Sequence, residues 1–536
     1  MTVDGEVRKY RTRKSRAARD LFALMKSLHN TIRNVGAALT VTGAVIGTIS
    51  LAQTPKNTRP DAVQSAQTTQ PVADKRPEQK LSAHDQSAAF KAANAAPSSA
   101  VFKTQPDDGE VRGFDFYRDP LNAKKPMQAP EEITAQDKAM KPKVMEAQRS
   151  LLEKRYNLTP KLDPEAKMSR GKPLPVGPTA RLGAGMTWEN LAKMKPEQIK
   201  KDGVFPYPPL PHPKQSTGGQ VFPAMQIEMF PRLQRFDVDF DLPDAFLPEF
   251  PPAIFLQSRP ELGDVSRGQV VSINNYYALF KDILTPVQLD GLRMLLTPFP
   301  QEEFNPTDDR KSDQPSLGVT CLDCHVNGHT TGQFHLNPDD RPQQRRMRLD
   351  TVSLRGLFNQ QVHGSKRSLR SVEDFTEFEQ RTAYFNGDEI HAFKKGANIV
   401  DRVQVSHMAQ MQNMFDFPPA PKLDPATSRL DPAKANESEI RGEKLFFGKA
   451  QCVACHSGPS YLDQQYHDLH VDRFTSEPSD GPIKTFTLRG IKDSPPYLHD
   501  GRCLTLEDTI EFFNLVLELD LSKQEKTDLV AFMRAL

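Results

Sequence analysis

The sequence predicts an all-α chain with two tandem helical domains behind a Pro-rich, largely irregular N-terminal extension. Three observations carry that reading. First, an internal repeat runs at an offset of 134 residues. Thr351-Val352-Ser353-Leu354-Arg355-Gly356-Leu357 matches Thr485-Phe486-Thr487-Leu488-Arg489-Gly490-Ile491. Ser371-Val372-Glu373-Asp374 matches Thr505-Leu506-Glu507-Asp508, and Glu377-Phe378 matches Glu511-Phe512. Such self-similarity marks duplicated structural units. Second, Leu279, Phe280, Ile283 and Leu284, then Leu289, Leu292, Leu295 and Leu296, have helical spacing. Third, most of the 45 prolines of the 536-residue chain precede residue 300. The predicted organisation is a basic segment plus signal or anchor over 1–52, a disordered linker over 53–100, the extension over 101–300, and two repeat domains over 301–432 and 433–536.

Composition narrows the function. Lys and Arg number 70 against 68 Asp and Glu, which argues against a dedicated nucleic-acid binder with its clustered positive field. With 37% hydrophobic residues and a mean hydropathy of −0.58, the chain is not a multi-span membrane protein. Five cysteines rule out a disulfide scaffold.

The N-terminus carries an export address. Residues 1–33 are basic, and an uncharged run follows from Val35 to Leu51, ending in Ser50-Leu51-Ala52. That order places the following chain outside the cytoplasm, in the periplasm. Two readings stand: a cleaved signal leaving a soluble protein, or an uncleaved anchor in the inner membrane. Residues 53–100, rich in Ala, Gln, Ser, Pro and Thr, read as a tether. In 101–300, Phe222, Phe230, Phe236, Phe240, Phe246, Phe250 and Phe255 recur between prolines. Regular aromatics point to an ordered segment wrapped on a partner domain.

Four cysteines fall in two identical patterns, Cys321-Leu322-Asp323-Cys324-His325 and Cys452-Val453-Ala454-Cys455-His456. Each is C-x-x-C-H, the attachment pattern of a c-type haem. Two thiols three apart on one turn bond the two vinyl groups, and the next histidine becomes the proximal iron ligand. Zinc half-sites would leave His325 and His456 unexplained and would need two more ligands per metal. A thioredoxin-like pair needs a βαβ context that neither motif has. Cys503 is left over and reads as a small buried hydrophobe. Ser371 and Thr505 each precede an acidic residue by three, the start of a capped helix.

These motifs, with Pro495-Pro496-Tyr497-Leu498-His499-Asp500-Gly501-Arg502, the run Gly442-Glu443-Lys444-Leu445-Phe446 and Ser457-Gly458-Pro459, resemble the bacterial di-haem cytochrome c peroxidase and MauG superfamily. The resemblance covers about 300–536. It implies two cytochrome c-like domains with haems near their interface, one binding hydrogen peroxide and the other relaying electrons. It also implies a small redox donor, a cytochrome c, a cupredoxin or a quinol-chain donor, and in many relatives a calcium ion between the domains. The implied activity is reduction of hydrogen peroxide to water. A MauG-like or oxygenase-type reaction on a protein or organic substrate is the alternative on the same scaffold, and a non-enzymatic di-haem electron carrier is a third.

Peroxide reduction needs a group that moves a proton between the two peroxide oxygens. The helix after Ser371 places Val372, Phe375, Thr376 and Glu379 on one face. Glu379 is the first candidate for that role, with Glu377 and Glu389 as fallbacks, since a desolvated carboxyl gains a raised pKa. The second repeat has Phe513 where the resemblance leads one to expect a methionine or tyrosine ligand. That haem is then either five-coordinate or takes a sixth ligand from elsewhere, among His407, Met408, Met411, Met414, Tyr461, Tyr466, His467 and His470. His329 and His335 are candidate iron ligands in the first repeat. Arg355 and Arg489 are candidate partners for haem propionates. The tryptophan that relatives carry between the haems is missing near His363–Ser365, and Tyr384 and Phe385 are substitutes to consider.

Overall fold

The computed structural model describes residues 130–211, 221–235, 237–298, 319–336, 348–366, 368–379, 400–477 and 480–536. The export segment, the tether, Phe236, Tyr384, Phe385 and Glu389 lie outside these residues. No helix of the described residues is long and apolar enough to cross a membrane. The described chain is helical, and its strands form only two-stranded pairings.

The second repeat is built on a crossing of two capped helices, α10 (Glu437–Phe446) and α12 (Lys523–Ala535). Asn436 with Glu439 and Ser522 with Glu525 form capping boxes that satisfy the first N–H groups of each helix. Their crossing explains Gly442: a Cβ there would lie 1.9 Å from the Asp528 carbonyl oxygen. Beside them runs α11 (Leu506–Val516), capped by Thr505 and Asp508. Phe446, Tyr461, Phe512, Leu515, Leu529 and Phe532 form one core between these helices. Burying several large apolar side chains at about 25 cal/mol per Å² is the main stabilising term.

The first repeat uses the same device in a place the sequence did not mark. Helices α5 (Tyr276–Phe280) and α6 (Pro286–Leu295) precede the first motif, and α6 crosses α9 (Arg402–Gln412). At that crossing a Cβ on Gly291 would lie 2.1 Å from the His407 carbonyl oxygen. Between them α8 (Val372–Phe378) starts at Ser371, whose hydroxyl caps the Asp374 N–H. Leu279, Phe280, Leu292 and Leu295 share a core with Leu322, Leu354, Val405, Met408 and Phe415. The boundary drawn at 300 therefore cuts through this core; the helical repeat begins near 276. Gly291 escaped notice because its flanks do not resemble those of Gly442.

Each haem-type motif is followed by a two-stranded antiparallel pairing. In the first repeat β4 (Phe334–Leu336) pairs with β5 (Arg348–Asp350), Phe334 opposite Asp350 and His335 opposite Leu349. In the second, β7 (Tyr466–His467) pairs with β8 (Ile483–Lys484), Tyr466 opposite Lys484 and His467 opposite Ile483. The register makes His335 and His467 equivalent, as it does Asp350 and Lys484.

The extension is less irregular than its prolines imply. It opens with α1 (Pro130–Arg155), 26 residues rich in Ala, Glu, Lys, Gln and Leu, which have high helix propensity. After it come β1 (Leu162–Lys167), β2 (Pro173–Pro175), α2 (Trp188–Ala192), α3 (Pro196–Asp202) and α4 (Ala224–Met229). Further on, β3 (Phe255–Leu256) pairs with β6 (Phe415–Asp416) of the first repeat. Buried Asp508 of α11 binds the extension: it accepts hydrogen bonds from the Thr179 N–H (2.8 Å), the Thr179 hydroxyl (2.6 Å), the Ala180 N–H (3.2 Å) and the Tyr207 hydroxyl (2.9 Å). Phe205 stacks on Phe474 at 5.2 Å, and Phe222 and Phe246 are buried.

Candidate haem sites

The first motif lies on a single helical turn, α7 (Cys321–Cys324). Thr320 and Asp323 form its capping box, and Arg232 of the extension grips the Asp323 carboxylate through both guanidinium nitrogens, at 2.7 and 2.8 Å. Cys321 and Cys324 thus stand on one turn, three residues apart, as two thioether bonds to one flat ring require. Burial pushes the Cys321 thiol up to about 12 and Cys324 well above its ordinary value.

His325 follows as the cap of that turn. Its Nδ1 lies 2.9 Å from the Val352 carbonyl oxygen, which leaves Nε2 as the free coordinating nitrogen. Burial lowers its pKa to about 4, so the ring is neutral, the form that binds a metal. The second motif repeats the arrangement on a short 3-10 turn, Cys452–Ala454. His456 Nδ1 lies 2.9 Å from the Tyr461 carbonyl oxygen, and the Phe486 carbonyl, equivalent to that of Val352, also faces the ring. Burial lifts the Cys452 thiol to about 12. In both repeats the chain thus presents paired thiols and a neutral imidazole fixed through one nitrogen, a donor set that fits a c-type haem.

The candidate groups around the first motif separate. Glu379 ends α8 close to the motif, where its charge raises the Cys321 and Cys324 thiol pKa values. His335, on β4, lies near enough to His325 to disfavour its protonation. Glu377 faces outward and pairs with Arg402 at the surface. His329 is fully occupied: Nε2 donates to the Asp493 carbonyl oxygen at 2.9 Å, and Nδ1 accepts from the Ser353 hydroxyl at 2.8 Å. With its lone pair taken, His329 holds loops together and is not an iron ligand as placed. Arg355 is likewise committed, to the Asp493 carboxylate at 3.2 Å and the Ala253 carbonyl at 2.7 Å. The Arg489 Nε donates to the Leu536 carbonyl oxygen at 2.9 Å. Both arginines have local partners without a propionate.

In the second repeat Phe513 packs edge-on against Phe512 at 5.2 Å. Cys503 is fully buried and unpaired with any other cysteine. Cys455, Asp463 and His467 bring their ligand atoms within 4.8 Å of one another, with His467 Nε2 at 2.6 Å from Asp463 Oδ2. This trio shares Cys455 with the haem-type motif, so a metal there and a thioether exclude each other. The sequence reading did not single out the pairing of His335 with His467, because the two motif-to-histidine spacings differ by one residue.

Similarity to known proteins agrees with this chemistry. A cytochrome-c peroxidase, IdrP1, of Denitromonas iodatirespirans is 31% identical over 157 residues, covering 20% of this chain and 42% of that protein. A cytochrome c551 peroxidase of Nitrosomonas europaea is 33% identical over 116 residues, 19% of this chain and 34% of that protein. The methylamine utilization protein MauG of Methylorubrum extorquens is 32% identical over 118 residues, 18% of this chain and 33% of that protein. The chain is a relative of the bacterial cytochrome c peroxidases and MauG. The matches span less than half of each relative's length, and no family model matches the chain. Among solved structures, a MauG-like protein associated with microbial copper homeostasis aligns over 48% of this chain and 90% of its own, with 20% identity and a TM-score of 0.33.

Proposed function

We propose that this chain is a di-haem c-type peroxidase of the periplasm that reduces hydrogen peroxide to water. The observation that carries the reading is the convergence of Glu379 and His335 on the Cys321–His325 motif. A bound haem would supply a redox-active iron able to deliver electrons to peroxide. Cys321 and Cys324 would hold it in the first repeat, and Cys452 and Cys455 in the second. His325 and His456 would ligate it through Nε2, oriented by the carbonyls of Val352 and Tyr461. Glu379 would take the proton from the near peroxide oxygen and return it to the departing one. The balance is H2O2 plus two electrons and two protons giving two waters, the electrons arriving from a small donor protein through the second repeat.

The Phe375–Phe378 pair, with ring centroids 6.2 Å apart on the helix that ends at Glu379, favours a second reading. An apolar wall there suits oxidation of an organic or protein substrate. One experiment separates the readings. The purified chain, with covalent haem counted by its pyridine haemochrome, is mixed with stoichiometric peroxide and a reductant. The expected result is two c-type haems, a spectral change in one on adding peroxide, and peroxide consumption matched by donor oxidation. Peroxide consumption without donor oxidation, coupled to loss of an organic substrate, would favour the second reading. Two haems indifferent to peroxide would leave an electron carrier.

A further inference from the structure

Among the described residues, four cationic side chains are buried: Arg348, Arg355, Arg502 and Lys484. Three of them have a carboxylate. Arg348 pairs with Asp241 at 2.6 Å, Arg355 with Asp493 at 3.2 Å, and Arg502 with Asp500 and Asp480, each at 2.7 Å. Lys484, 3% exposed, has none among the described residues. Its ammonium donates to the neutral Gln360 side-chain oxygen, lies 5.0 Å from the Phe486 ring centroid, and is close enough to His363 to disfavour protonation of that ring. A buried charge without a counter-charge costs several kcal/mol. Among the described residues nothing supplies Lys484 with that counter-charge.

The position says which anion. Lys484 is on β8, two residues before Phe486, whose carbonyl faces the candidate iron ligand His456. Its pairing partner Tyr466 stands next to His467, which lies within 4.8 Å of the Cys455 thiol. Alternation along the strand turns Lys484 and Tyr466 to the other face, toward the first repeat. There the Lys484 N–H donates to the Ser365 carbonyl at 2.9 Å, and the Tyr466 hydroxyl to that of Gly364 at 3.2 Å. An anion facing Lys484 would lie between the repeats, beside Phe486, whose ring faces the ammonium and whose carbonyl faces His456.

We propose that Lys484 is the counter-charge of a carboxylate on the haem of the second repeat, one of its propionates. This rests on the di-haem reading above. Without such a partner burial holds the Lys484 ammonium down to about 8, whereas a paired carboxylate keeps it charged. The equivalent position of the first repeat is Asp350, a partly buried acid. The charge at this one register position therefore differs between the haems, and Lys484 stabilises the reduced, more negative form of the second relative to the first.

The test is a spectroelectrochemical titration of the full di-haem protein, wild type against Lys484→Met and Lys484→Arg. Lys484→Met is expected to shift the reduction equilibrium of one haem about tenfold toward the oxidised form, about 59 mV, with the other unmoved. Lys484→Arg is expected to restore most of the shift, and added acetate to change nothing. Unchanged potentials in Lys484→Met with full haem content would overturn the proposal. A shift that follows the acetate concentration would also overturn it, assigning the site to a free carboxylate. If Lys484→Met does not fold, Lys484→Gln replaces it under the same criteria. A wild-type chain without covalent haem, read from the haemochrome spectrum before any titration, would remove the di-haem reading itself and this proposal with it.

Discussion

The two repeats share a frame and differ in what they place on it. Both cross a pair of helices at a glycine, α6 on α9 at Gly291 and α10 on α12 at Gly442. Both anchor the histidine of a C-x-x-C-H motif through Nδ1 to a backbone carbonyl. At equivalent positions two side chains diverge, Glu379 against Phe513 and Asp350 against Lys484, while Asp374 and Asp508 are the same residue in different surroundings. The first repeat has one such acid, Glu379, close to its motif. The second has an aromatic and a buried cation with no carboxylate partner among the described residues, and its capping aspartate lies beneath the extension. The frame suits holding one kind of cofactor twice; the substitutions suit using it for two purposes. On the proposed reading, proton transfer would fall to the repeat with Glu379 and electron storage to the repeat with Lys484.

The largest effect should come from the site that makes the repeats unequal. Glu379→Gln is expected to lower peroxide turnover by 10²–10⁴-fold, the usual contribution of a general acid-base group. Glu377→Gln, two residues away but paired with Arg402 at the surface, should leave turnover within about twofold. Steady-state peroxide consumption by the two variants decides the assignment. Equal activities would remove Glu379 from the chemistry and weaken the division of labour.

The shared frame can be broken symmetrically. Gly442→Ala puts a methyl group into the Asp528 carbonyl, and Gly291→Ala does the same at His407. Each should cost about 3 kcal/mol through forced separation of the helices. Denaturant midpoints of the two variants are the measurement. A cost in only one would show that the other crossing is a loose contact and not a second copy of the frame.

A difference of about 2 kcal/mol is expected between the two capping aspartates. Asp508→Asn leaves buried donors of Thr179 and Ala180 facing an amide. Asp374, 45% exposed in its side chain and paired with Arg402, is the equivalent residue without a covering extension. Asp374→Asn should cost under about 0.5 kcal/mol. Thermal unfolding compares the two, and faster proteolysis of the 130–210 segment in Asp508→Asn alone would tie the cost to docking.

Much of this was legible in the chain because it is local. The thiol and histidine spacing, the helix starts at Ser371 and Thr505 and the 134-residue offset are all read within a few residues. What was not legible is set by distant neighbours. Gly291 looks like an ordinary helix glycine until α9 is laid across it. His329 resembled a ligand by its closeness to the motif, yet its partners are at Ser353 and Asp493. Arg355 looked free for a propionate until Asp493 was placed beside it. The helix α1 lies in a proline-rich stretch and contains Pro142, so only the helix formers around that proline mark it. The equivalence of His335 with His467 became visible only through strand register, since β4 and β7 lie at different distances from their motifs.

His329 supplies the smallest prediction and one more contrast. In the first repeat the Ser353 hydroxyl donates to His329 Nδ1; in the second the equivalent Thr487 hydroxyl donates to the Ser460 carbonyl at 2.6 Å. A titratable ring thus stands where the second repeat uses backbone. Burial, with the nearby Arg355 charge, lowers the His329 pKa from 6.5 to about 3. The folded state keeps the ring neutral while the unfolded chain protonates it, so this contribution to stability is complete above pH 6.5 and is lost as pH falls toward 3. One unit below the unfolded value, near pH 5.5, about 1.4 kcal/mol of it should be gone. Denaturant midpoints of the haem-free chain between pH 7 and 5.5 should therefore fall more steeply for the wild type than for His329→Gln, whose amide can replace both hydrogen bonds without titrating. Parallel slopes would mean that the ring is charged in the folded state, which requires Asp493 or the Ser353 hydroxyl to have turned toward it. The loop joining the two repeats would then be held by a charge pair, and the asymmetry at this position would be one of salt sensitivity and not of pH.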